Sequence, residues 1–352
     1  MIESSRKKTT FFFIFCSIFL LSLLIISIVY GPVNITLFEL SKIISDYVKF
    51  TEYSNDSYTL IQKSVLLDIR LPRVFLAIFV GAGLGTAGAI LQGLFRNPLV
   101  DPGFIGVSSG GAVGAMVAIM YFSYMPSLIQ PFILPILAIL GSFSTTFIVY
   151  KMSKVLNKTN IMAMLLSGIA INALSGSIIG LFVSISNDTQ LRSFTFWTLG
   201  GLDNATWNII FLCSLFIALP LIIIYRMKES LDIFMLGDAE ATNLGVKTEN
   251  LKKKIIIIAS IIVGISVSFC GMIGFIGLVT PHLVRLFIGP NHKYLIPGSA
   301  LIGASLLTFS DLIAKSIIAP AQLPIGVVTS AIGAPFFAWL IINQKRRFSY
   351  SE

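Results

Sequence analysis

Gly106-Val107-Ser108-Ser109-Gly110 spells G-x-S-x-G, the pattern that presents a serine nucleophile for acyl transfer. Inside a membrane such a serine would take its base from a histidine on another helix, and His282 is available. Two features weigh against that chemistry. The pattern works on a strand-to-helix turn, whereas here it opens a long apolar run, and Ser and Gly are ordinary packing residues of membrane helices. A metal site is not expected either, because His282 and His292 have neither HExxH spacing nor a carboxylate pair nearby. His292, in the loop Gly289 to Lys293, is expected to face water. No GxxxxGK[ST] occurs, so ATP is not bound through a P-loop and any ATP energy comes from a partner. Asp311 is the main charge inside an apolar run, and Lys315 one turn on is its expected mate. An ion-coupled carrier would show more buried acids. An intramembrane serine protease and an ion-coupled secondary carrier stand as the alternatives to a chain that does no covalent chemistry.

The elements that must position these residues are membrane helices. The 352-residue chain is 55% hydrophobic and 12% charged, with a mean hydropathy of +0.90, which excludes an ordinary soluble domain. Its net charge of +9 comes from cations beside apolar runs, so membrane topology explains it and no nucleic-acid partner is expected. Cys16, Cys213 and Cys270 lie within apolar runs and lack ligand spacing, as packing residues do. A crossing helix needs roughly 20 apolar residues. Runs near 11–30, 74–95, 104–122, 128–151, 161–186, 208–226, 255–271, 273–289, 295–314 and 325–343 give ten expected spans in a single permease domain, 1–352. The first is expected to be retained as a span, being too long for a signal peptide. The eighth is the weakest, interrupted by Pro281, His282 and Arg285.

With ten spans, Arg6-Lys7-Lys8, the lysines of 151–158, the cations of 226–254 and Lys345-Arg346-Arg347 fall on one side. The positive-inside rule makes that side, with both termini, cytoplasmic. The external loop 31–67 has nearly balanced charge (Glu52 and Asp56 among its acids), and Leu37, Leu40, Ile43, Ile44 and Tyr47 mark a surface helix in it. Trp197 and Trp207 flank the outer end of the sixth span as interfacial anchors would. Gly81-Gly85-Ala89, Gly106-Gly110-Gly114 and Ser260-Gly264-Ser268 recur every four residues, a spacing that lets helix backbones approach closely. The inner segment 227–254 is expected to form one or two short helices with a glycine stop. It suits a lever bound to a partner or, equally, an ordinary interfacial loop helix.

Seven stretches then carry a resemblance: RLPR at 70–73, GAILQGLFRNPLVDPGFIGVSSG at 88–110, WTLGGL at 197–202, LGDAEATNLGV at 236–246, GFIGLVTPHLVR at 274–285, SDLIAK at 310–315 and LPIGVVTSAIGAPFF at 323–337. In this order the chain resembles the permease subunits of ATP-binding-cassette importers for iron-siderophore, haem and cobalamin. The resemblance implies an all-α, ten-helix subunit of the type II importer fold in a bacterial cell membrane. It implies a homodimer with the path between its copies, two cytoplasmic ATPase subunits below, and an extracytoplasmic substrate-binding protein outside. ATP and Mg would sit on the partner ATPase, with no cofactor on this chain. By the same resemblance Arg70, Arg73 and Lys315 would meet acidic residues of the binding protein, Lys315 standing where the family often has arginine. Gly237, Glu240, Ala241, Leu244 and Gly245 would form the ATPase-coupling surface. Asn97, Pro98 and Leu99, with Pro281, would belong to the gate and path. Transport would proceed by alternating access, with a ferric siderophore the first expectation for cargo and haem or cobalamin the others.

Overall fold

Residues 2–49, 58–122, 130–319 and 321–349 are described in the computed structural model of this chain. Glu52, Asp56 and the first residues of the fourth expected span, 128–129, lie outside them, as do the side chains of Arg6, Lys345, Arg346 and Arg347.

The long helix α1 (Ile2–Val29) is the first apolar run. The surface helix α2 (Leu37–Lys49) follows, with Ile43 buried and Leu37, Ile44 and Tyr47 exposed. A short helix, α3 (Leu60–Ser64), opens on a capping box in which Thr59 and Gln62 each bond the other's backbone. It continues without a break through a widened turn, Val65–Arg70, into α4 (Leu71–Phe95). The helix that carries the second apolar run thus starts at Leu60, well ahead of the run itself. The widened turn has a local cause. Pro72 cannot donate to the carbonyl of Asp68, and its ring would crowd that carbonyl in a regular helix. Just ahead of it the bonding lengthens, Leu71 N–H donating to Leu66 O, which opens the room.

A 3₁₀ turn (Pro102–Ile105) leads to α5 (Val107–Tyr121), then α6 (Gln130–Met152). A small antiparallel hairpin, β1 (Lys154–Val155) with β2 (Lys158–Thr159), holds the lysine-rich turn before α7 (Ile161–Ile185). The helix α8 (Asp188–Leu199) lies between two spans where a loop is expected; Asn187 and Gln190 cap it, and Phe194 packs on Ala112 and Met116. Then come α9 (Trp207–Tyr225), α10 (Lys228–Phe234), α11 (Asp238–Asn243) and α12 (Thr248–Cys270). The last three are α13 (Ile276–Ile288), α14 (His292–Ser316) and α15 (Ile325–Ser349). Among the described residues eight helices are long and apolar enough to cross a membrane, and α5 and α13 are two shorter apolar ones. Together they account for the ten runs in the sequence. The helix α12 starts at Thr248, so Lys252 is inside it and not in a loop.

The centre of the bundle is α4, packed on α9, α12, α13 and α14. Small residues permit the contact. A Cβ added at Gly88 would stand 1.8 Å from Gly277 O, and one at Gly85 2.3 Å from Ser299 O. In a bilayer, where lipid is as apolar as leucine, such close van der Waals packing holds helices together. By contrast, only 17% of the apolar window of α7 is buried and 22% of that of α6, so both leave a wide apolar face uncovered by the chain itself.

Candidate functional site

Polar side chains gather at the two ends of this bundle. At one end α1 stops at Val29 with unpaired carbonyls, as every helix C-terminus does. Arg70, carried inward by the widened turn, supplies their donors: Nη1 to Ile28 O (2.6 Å) and Val29 O (2.8 Å), Nη2 to Val33 O. Gly31 makes room for it, since a Cβ there would lie 2.5 Å from Arg70 Nη2. One turn on, Arg73 Nε donates to Asp311 Oδ1 (2.7 Å), while Nη1 donates to Asp203 Oδ1 (2.7 Å) and Gln322 Oε1 (2.5 Å). Lys315 Nζ donates to both Ser27 O and Ser27 Oγ at 2.7 Å and stays 4.0 Å from Asp311 Oδ2.

Asp311 is thus shared: Arg73 reaches it across the helix interface at 2.7 Å, and Lys315, one turn on as expected, stands 4.0 Å from its other oxygen. Arg70, Arg73 and Lys315 are held within the chain. Both arginines are buried, and all three side chains are engaged inside the chain. The ionic group of this cluster that faces outward is Asp203, whose side chain is 62% exposed. Trp207 joins the same end, its Nε1 donating to Leu67 O at 2.9 Å.

The other end gathers around the turn after α4. Arg96 closes that helix in the left-handed conformation, and Asn97 Oδ1 accepts from Leu99 N–H at 2.9 Å, which folds Asn97-Pro98-Leu99 into a tight, exposed turn. Pro98 and Leu99 line a narrow crevice together with Leu278, Val279, His282, Phe336 and Leu340. Pro281 is buried in α13 and does not line that crevice.

Arg96 reaches across to the segment between α9 and α12. Its Nε donates to Phe234 O (3.1 Å), its guanidinium lies over the Phe234 ring, and its Nη2 pairs with Asp238 Oδ1 at 2.5 Å. The other oxygen of Asp238 accepts from Lys252 Nζ at 2.5 Å. Lys252 also donates to Glu249 Oε1 and to Thr159 O, both at 3.0 Å, and Glu249 Oε2 accepts from Thr159 N–H at 2.8 Å. Burial alone would raise the Asp238 carboxyl, but the hydrogen bonds and charges of Lys252 and Arg96 hold it below its ordinary value. His292 is buried, contrary to expectation, with Nδ1 2.6 Å from Asp232 Oδ1, so it fastens α14 to α10.

On this end α11 is the protruding element. Gly237 starts it at φ +134°, and a Cβ there would strike the Glu240 carboxylate at 2.0 Å. Gly245 ends it at φ +87°. Glu240, Leu244 and Gly245 are exposed, but Ala241 is fully buried and seats the helix on the body, so it offers no surface to a partner. Leu236 and Leu244 are 64% and 60% exposed, two apolar side chains on an otherwise charged end. The G-x-S-x-G serines form no catalytic pair: Ser109 Oγ donates to Gly106 O (3.1 Å) and Asn172 Oδ1 (2.7 Å), and Ser108 lines a cavity with Asp101 and Asn172 but no histidine.

Arg96, Asp238, Lys252 and Asp203 escape the sequence reading. Arg96 and Asp238 stand 142 positions apart, and nothing in either local pattern pairs them.

A helical bundle with small-residue packing, a polar lock at one end and an exposed short helix at the other has the architecture of a multi-pass membrane subunit. Residues 19–343 match the FecCD transport family, and the chain belongs to that family. It is 42% identical to the hemin transport system permease protein HmuU of Yersinia pestis, over 81% of this chain and 85% of that protein. It is 38% identical to the vitamin B12 import system permease protein BtuC of Vibrio parahaemolyticus, over 82% and 86%. Among solved structures it resembles an inward-facing ABC transporter described as of metal-chelate type, at TM-score 0.81 and 32% identity over 95% of this chain and 99% of that one.

Proposed function

We propose that this chain is the membrane permease of an ATP-driven importer that takes up an iron chelate by alternating access. It works as a homodimer with two ATPase subunits and an extracytoplasmic binding protein, and ATP and Mg are bound by the ATPase. The observation that carries this reading is the pair of exposed leucines that flank α11, Leu236 ahead of Gly237 and Leu244 at its C-terminal cap, on a glycine-bounded helix at a cation-rich end. That end holds Lys151, Lys154, Lys158, Arg226, Lys228 and Lys247, and the positive-inside rule makes it cytoplasmic. An ATPase is the partner such a pair suits, with Gly237, Glu240, Leu244 and Gly245 at the contact. Asn97-Pro98-Leu99, next to it, forms part of the gate.

At the opposite end the binding protein docks over Arg70, Arg73 and Lys315. Because the arginines are engaged inside the chain, an acidic lobe reaches Arg73 by displacing Asp203, its exposed partner. A ferric siderophore is the proposed cargo. Haem is the second reading, favoured by the similarity to a hemin permease. Co-purification of the tagged chain from native membranes, with mass spectrometry, tests the assembly. A P-loop ATPase and a binding protein are expected, and the binding protein's affinity for hemin against ferric siderophores then decides the cargo. A chain that purifies without an ATPase under gentle conditions refutes the proposal.

A further inference from the structure

We propose that Asp238 is a positioning residue that transmits movement of α11 to two neighbouring turns at once: to Asn97-Pro98-Leu99 through Arg96, and to the β1–β2 hairpin through Lys252. This rests on the permease reading above, which supplies the movement. The geometry supplies the linkage. Asp238 is the first residue of α11, and its two carboxylate oxygens are divided between two cations, Oδ1 to Arg96 and Oδ2 to Lys252, each at 2.5 Å. Arg96 is adjacent to Asn97 and is the residue that ends α4. It is held at three points on the far side, by Asp238, by Phe234 O and by the Phe234 ring.

Phe234 is fully buried and ends α10, so the guanidinium is fixed in direction as well as in charge. Lys252 in turn holds the hairpin by Thr159 O, and Glu249 holds the same residue by its N–H. Opposite charges on short, fully formed bonds transmit a push or a pull, whereas an exposed apolar contact would slip. Neither turn has to touch the ATPase for its position to follow α11.

The experiment uses the full complex with its ATPase, in which Leu99→Cys is introduced after the buried Cys16, Cys213 and Cys270 are replaced by alanine. A membrane-impermeant maleimide reports the exposure of residue 99 with and without ATP, in complexes matched for ATPase content and thermal stability. The expected result is an ATP-dependent change in labelling rate that falls by about threefold or more in Arg96→Gln and in Asp238→Asn. The double variant is expected to fall no further than either single one, because the two residues act through one bond. Arg96→Lys, which keeps the charge but loses the fork, should restore part of the response. Effects that add in the double variant, or a full response in either single one, overturn the linkage and leave the permease reading standing. A parent complex that carries no ATPase overturns both.

Discussion

Replacing Arg73 by methionine removes the central cation of the polar lock beside the end of α1. Its side chain is 10% exposed, and that of Asp311 not at all. Without the arginine, the Asp311 carboxylate stays buried with Lys315 4.0 Å away, and its Oδ2 already lacks a hydrogen-bond partner among the described residues. Breaking one side of a buried pair costs about 3–5 kcal/mol; Lys315 offsets part of the remaining charge, which puts the expected loss near the lower end. The contact to Asp203 is different in kind. With that carboxylate 62% exposed, water replaces the bond and Asp203→Asn should cost less than about 1 kcal/mol.

Arg73→Met combined with Asp311→Leu removes both buried charges and should recover most of the loss, since a well-packed apolar pair can replace a buried ion pair at little cost. The assay is the thermal midpoint of the detergent-solubilised, fluorescently tagged chain, read by size-exclusion chromatography. The expected order is Asp203→Asn close to the parent, the double variant below it, and Arg73→Met lowest. Asp203→Asn as damaging as Arg73→Met, or a double variant whose loss equals the sum of the singles, would refute the reasoning.

Four further outcomes are expected. Gly88→Ala, whose Cβ would collide with the Gly277 backbone, should cost several kcal/mol and lower the yield of folded protein, whereas Gly176→Ala, which meets open space, should leave the elution profile unchanged. Leu236→Asp with Leu244→Asp should reduce the ATPase retained on the purified chain by tenfold or so, corresponding to about 1.4 kcal/mol, without lowering the thermal midpoint. Ser108→Ala should leave cargo uptake intact in whole cells. The Asp238 carboxyl titrates below its ordinary 3.8, so its pairing contributes fully above that pH and is lost only as pH falls through the lower folded value. The ratio of labelling rates at residue 99 with and without ATP, in which the thiol's own pH dependence cancels, should therefore be flat from about pH 6 to 8; a midpoint in that ratio that disappears in Asp238→Asn would contradict the shift.

The apolar runs and their small-residue spacing made the bundle readable in advance, because in a bilayer length and hydropathy alone set which segments span. Gly81 and Gly85 do face α14, and two short helices occupy 228–243. The helical lead-in to the second span was hidden because Lys63, Asp68, Arg70 and Arg73 look like a solvated boundary. In the fold they lie within one continuous helix in which Asp68 stays exposed and the arginines turn inward. Lys315 does stand 4.0 Å from Asp311, as its place four residues on suggests, but the closer partner was hidden: the fork of Arg73 arrives from 238 positions away, while Lys315 also bonds Ser27 on α1. His292 was misjudged because a loop next to glycine and proline reads as wet. Asp232 lies nowhere near it in sequence, and it is that partner that allows the imidazole to be buried.

The widened turn at Val65–Arg70 also sets a register. A single extra residue in a helical turn rotates everything before it by about 100° relative to everything after it. On the far side of that rotation, Gln62 Nε2 finds Asn34 O at 3.0 Å and Glu39 Oε1 at 2.9 Å, which is how α3 holds the surface helix α2. Deleting one residue between 65 and 70 would turn Gln62 away from both while leaving the apolar character of the segment intact. The α2 cap would then come loose from a bundle whose composition had barely changed, so a length change of one here weighs more than most substitutions nearby.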